Sequence, residues 1–90
     1  MFENISELSI STEQDGRIII KQLAKHIIET SAFPVLLFCY QPWNEKEKNY
    51  GAEEYLLVRY QRKHEQYVAI AKFRINGKEQ AEKIAEALKK

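Results

Sequence analysis

The side chains best placed to do chemistry in this chain are cations and rings. Arg59, Tyr60 and Arg62 fall within one alternating stretch, Lys72 and Arg74 within the next, and Tyr40 and Trp43 precede both. Residues two apart on a strand share a face. A sheet face that carries cations beside rings suits an unpaired polynucleotide, because Lys and Arg neutralise phosphates and exposed rings stack bases for about 1–3 kcal/mol each. By parity Arg62, Lys72 and Arg74 converge on an exposed face. Phe73 shares parity with Ala69, Ala71 and Ile75 and is expected in the core. A run of charge is as readily the solvated rim of a hairpin, and that reading stands beside the first.

Other chemistries find less to work with. His26 and His64 lie far apart, and no cysteine or carboxylate cluster has the spacing of a metal site. Cys39 sits between Phe38 and Tyr40 with no cation to lower its thiol pKa, so it reads as a structural thiol rather than a nucleophile. Gly16, Gly51 and Gly77 are isolated turn residues and build no phosphate loop. The pairs Glu45/Glu47 and Glu53/Glu54 stand in polar sequence that supplies no desolvation. No catalytic residue, metal or cofactor is expected.

The elements that must position the cations begin with two alternating segments, residues 55–62 and 67–75, joined by the charged tip Lys63-His64-Glu65-Gln66. Ala81, Ile84, Ala85 and Leu88 then mark one stripe of a helix, with Asn76 as its cap and Glu79 at the reciprocal spacing. A two-strand hairpin alone is marginal, so this helix is expected to lie back across the sheet. Upstream, residues 35–40 read as a central strand, apolar on both faces, and residues 41–54 as a long polar connection. Residues 17–30 favour a helix through Ile20, Leu23, Ala24, Ile27 and Ile28. The β-branched run Ile18-Ile19-Ile20 keeps a long strand as the competitor. The fold class is therefore α+β: an antiparallel sheet of three to four strands followed by a C-terminal helix, with an additional N-terminal helix where residues 17–30 take that form.

Ninety residues make one domain with a modest core, for which an oligomer is attractive. A hydrophobic fraction of 44% with 30% charged argues against disorder. Residues 1–16 carry Glu3, Glu7, Glu13 and Asp15 without a cation and read as an acidic, partly ordered lead-in to a domain spanning 17–90. Residues 59–78 carry six cations against Glu65 alone. A lone cysteine fits a reducing cytoplasm, and neither a signal pattern nor an apolar run of membrane-spanning length is evident.

With these residues in view, the pieces Val58-Arg59-Tyr60, Lys72-Phe73-Arg74-Ile75, and Asn76 followed by Glu79-Gln80 resemble the positive-cofactor-four coactivator-like family. The match covers roughly residues 33–88. It implies protomers of four strands and a helix that dimerise and bind single-stranded DNA on the sheet. On that resemblance Arg59, Tyr60, Arg62, Lys72 and Arg74 line the nucleic-acid surface, and Ile84 and Leu88 pack a homodimer interface. The family's first strand would be residues 33–40, or missing, if residues 17–30 are a helix. The expectation is a non-enzymatic domain for single-stranded DNA or RNA, largely sequence-independent, acting in transcription regulation or DNA maintenance, with Tyr60 and Trp43 stacking bases. The alternative is a protein-interaction or assembly module whose basic hairpin meets an acidic partner, its own N-terminus included.

Overall fold

The computed structural model describes residues 5–89. A single 3-10 turn, Ile5–Glu7, leads into strands β1 (Thr12–Gln14), β2 (Arg17–Glu29), β3 (Val35–Asn44), β4 (Asn49–Tyr50), β5 (Glu54–Lys63) and β6 (Gln66–Ile75), and helix α1 (Lys78–Leu88) closes the chain. The sheet is antiparallel, with strand order β1-β2-β3-β5-β6 and β4 folded back on β3. The α+β class holds, but the strands number six rather than three or four.

Residues 17–30 are the main correction, for they form no helix. Ile18, Ile19, Ile20, Ile27 and Ile28 are stiff at χ1 and prefer a pleated surface, and β2 pairs with β3 along nearly its whole length. The helix-like spacing has a local cause. Register shifts between Gln22 and Ala24 and between Ile27 and Glu29 each insert a residue, so a period of two is stretched to mimic a longer one. Further shifts lie between Thr12 and Glu13 and between Arg59 and Tyr60. Bulges bend strands and add twist, and the sheet curls into an open half-barrel.

Two other segments also depart from expectation. The strand expected to stop at Tyr40 runs through Pro42 to Asn44, and Trp43 and Asn44 pair with Tyr50 and Asn49. Pro42 stands opposite Ile20 of β2, beyond the end of the β3–β5 pairing at Tyr40 and Glu54, and its carbonyl accepts the Gly51 N–H at 2.8 Å. At the helix start, Gly77 rather than Asn76 is the N-cap, at φ 94°, and no side chain caps it. Gln80 Oε1 instead accepts the Asn76 N–H at 2.7 Å.

The core lies on the inner, concave face. Leu36, Phe38, Val58 and Tyr60 are buried there together with Leu8, which comes from outside the sheet and is only 1% exposed. Each aliphatic side chain so buried contributes about 1.5–3 kcal/mol. The N-terminal segment is tied down by β2. Lys25 Nζ donates to the carbonyls of Ser6 and Leu8 at 2.9 and 3.1 Å, and Gln22 Oε1 accepts from Ser9 Oγ and the Ile10 N–H at 3.1 and 3.0 Å. Four residues of the acidic lead-in, 1–4, lie outside the described chain; the rest of it includes this core leucine and β1.

The helix does not close the sheet as expected. None of its residues is buried: Ala81 and Ile84 are half-buried, Ala85 is exposed, and Leu88 is 80% exposed. Phe73, expected in the core, is 54% exposed on the outer face. It stands in a cross-strand row with Leu57, Leu37 and His26.

Candidate nucleic-acid interface

Between the N-terminal segment and β6 the inner face stays open as a groove of about 540 Å³. Ser9, Ile10, Ser11 and Thr12 form one wall. Ile20, Tyr40, Leu56, Val58 and Tyr60 make the floor, and Tyr67, Val68, Ala69, Lys72 and Arg74 of β6 make the other wall. The register explains why two cations of β6 stand here. Lys72 pairs with Val58 and Arg74 with Leu56, so both project on the face of the core.

Neither cation forms an ion pair among the described residues. The ion pairs among the described residues are Lys48–Glu45 at 2.7 Å and Lys83–Glu79 at 3.5 Å, both exposed and both elsewhere. Arg74 lies close to the Tyr40 hydroxyl, which donates to Glu54 Oε1 at 2.9 Å. Burial pushes the Tyr40 hydroxyl pKa up, the Glu54 hydrogen bond and charge push it further, and Arg74 opposes them. The Tyr60 hydroxyl is likewise pushed up by burial. At the hairpin end the Arg62 guanidinium sits 5.5 Å over the Tyr67 ring. A cation over a ring face is held by about 0.5–1 kcal/mol at an exposed site, which aims it without discharging it.

The residues singled out from sequence thus separate into groups. Lys72 and Arg74 share the groove, and Arg62 flanks it through Tyr67. Tyr60 lies at the groove floor but is only 5% exposed, so its ring belongs to the core. Arg59 pairs with Val35 and Ala71 on the opposite, outer face and is exposed there. Trp43 stands at the far end of β3, under the Arg17 guanidinium at 4.4 Å and edge-on to Tyr50 at 5.1 Å. Lys21 lies 5.1 Å over the Tyr50 ring. Trp43 Nε1–H donates to Glu45 Oε2 at 2.7 Å. Hydrogen bonds from Lys48 and Trp43 hold the Glu45 carboxyl below its usual range.

Tyr40, one of the rings named from the sequence, lines the groove, and two further contributors carried no such assignment. Tyr40 shares parity with Leu36 and Phe38, so its place on the core face was readable once residues 35–40 were taken as a strand. Tyr67 and Ala69 share the parity of Phe73, the side expected in the core and opposite the cations, and the bulge opposite Arg59 and Tyr60 brings them onto the face of Lys72 and Arg74. The wall of residues 9–12 had no local signal, since its position depends on Gln22 and Lys25 far along the chain. Among the described residues no three His, Cys, Asp or Glu side chains converge as metal ligands, and no helix is long and apolar enough to cross a membrane. Burial and the neighbouring Glu53 push the Cys39 thiol pKa up. Comparison with models of known protein families, with curated proteins and with solved structures returned no match.

Proposed function

We propose that this protein is a non-enzymatic binder of single-stranded nucleic acid, with little sequence preference, and that the inner-face groove is its interface. The observation that carries the reading is the pair Lys72 and Arg74, adjacent on one face of β6, in no ion pair among the described residues, over an apolar floor with tyrosines. Phosphates would be neutralised by these two and by Arg62, and an unpaired base would lie against Tyr67. The succession of four long antiparallel strands and a helix, β2-β3-β5-β6-α1, also agrees with what the resemblance implies. Arg59 and Trp43, on the outer face, are not part of this interface.

A labelled oligo-dT titration tests the reading. Binding should weaken with added salt, with a log–log slope of about −0.7 for each phosphate neutralised. Folded protein that leaves the oligonucleotide free at low salt rules the reading out.

A second reading, an assembly module, is favoured by the uncovered apolar groups of α1 and the outer face. The two are compatible if the assembly is a homodimer that uses Ile84 and Leu88 and leaves the groove free.

A further inference from the structure

The groove is walled on both sides, and its boundaries specify more than a track for phosphates. We propose that it is a nucleotide-sized site, which takes one phosphate-bearing unit with a flat, apolar or aromatic body, so that a free nucleoside monophosphate binds it without the rest of a polymer. This rests on the reading above in sharing Lys72 and Arg74, and goes beyond it by naming the unit bound.

The first support is the pair of walls. The wall opposite β6 is fixed in place, because Gln22 Oε1 holds both Ser9 and Ile10 and Leu8 anchors the same segment in the core. A volume of about 540 Å³ falls within the range of about 300–1,000 Å³ common to small-molecule sites. The second support is the division of the lining. Leu56 and Val58 make an apolar floor, while the cations stand on one wall. A simple anion has no use for such a floor, whereas a ligand with a ring and a phosphate uses both. The third support is direction. Glu54, held by Tyr40, places a carboxylate at the Arg74 end. A phosphate is therefore favoured nearer Lys72, with the body of the ligand toward Ala69 and Tyr67.

The test is calorimetric titration of the full chain with adenosine monophosphate, with inorganic phosphate as the second titrant and oligo-dT as the third. Two variants accompany it. Lys72→Gln removes the central cation. Ala69→Trp fills the groove from an exposed strand position that tolerates a large aromatic, and circular dichroism confirms its fold. The expected result is binding of the nucleotide, at least tenfold weaker binding of phosphate, and at least a tenfold loss in each variant. The proposal is overturned by no nucleotide binding, by phosphate binding as tightly as the nucleotide, or by Ala69→Trp binding as the parent does. Oligo-dT binding without nucleotide binding sinks this proposal and spares the polymer reading. Nucleotide binding without oligo-dT binding does the reverse, and a chain that binds neither sinks both.

Discussion

Lys72 and Arg74 face the same way because one residue separates them on a strand, and they face inward because Val58 and Leu56 stand opposite. Charge alone did not decide this: Arg59 is as basic and sits on the other face. Position also governs the tyrosines. Tyr40 is buried, and its hydroxyl has one carboxylate partner and one cation nearby. Its pKa is raised in the folded state, so the folded chain holds this proton more tightly than the unfolded chain. The resulting stability is present below the ordinary tyrosine value of about 10 and is lost as pH climbs through the folded value. Urea unfolding between pH 7 and 11 should therefore show a decline above about pH 10. In Tyr40→Phe that decline should be shallower, with a cost near pH 7 of about 1 kcal/mol for the lost hydrogen bond. A decline unchanged in Tyr40→Phe would assign the alkaline loss to other groups, Tyr60 first among them.

At the scale of elements, the hairpin of β5 and β6 was legible because both strands alternate outside one bulge and the tip is short and charged. The two-residue loop is His64-Glu65, both at positive φ, 49° and 64°. Left-handed angles cost a residue with a Cβ roughly 1–2 kcal/mol, and loops of this kind favour glycine at the second position. Glu65→Gly should raise stability by about 0.5–1 kcal/mol in chemical denaturation, and a loss of stability would show that Glu65 makes a compensating contact. The strand β2 was misread for a physical reason. Its bulges at Leu23 and Ile28 displaced the apolar residues from strict alternation, and bulges are set by the neighbouring strand, which local sequence does not contain. The groove's inner wall was hidden in the same way. Nothing in residues 9–12 announces that Gln22 will hold them, and Leu8, in a polar and acidic stretch, gave little sign of being core. The cations of the site were legible; the walls that bound it were not.

The whole molecule is a thin plate, with extents of 41 × 41 × 17 Å. One curled sheet carries its core on the inner side, and the outer side leaves Phe73 exposed beside the half-buried Leu37 and Leu57. Helix α1 leaves Ile84 half-buried and Leu88 exposed. An 11-residue helix is marginal on its own in water, and under the proposed homodimer a second copy related by a two-fold axis would cover both surfaces. Light scattering after gel filtration should give a dimer at tens of micromolar protein. Phe73→Ser with Leu88→Ser should shift it to monomer while the circular dichroism of the sheet persists. A parent chain that runs as monomer throughout would leave these surfaces for a different partner.

The central claim is that the inner groove, and not net charge, binds the polynucleotide. The most direct measurement compares two variants of equal net charge by oligo-dT titration at one low salt concentration. Lys72→Glu with Arg74→Glu reverses the groove, and Arg17→Glu with Arg59→Glu reverses two cations of the outer face. The account predicts at least tenfold weaker binding in the groove variant than in the outer-face variant. Equal losses in the two, or the larger loss on the outer face, would contradict it.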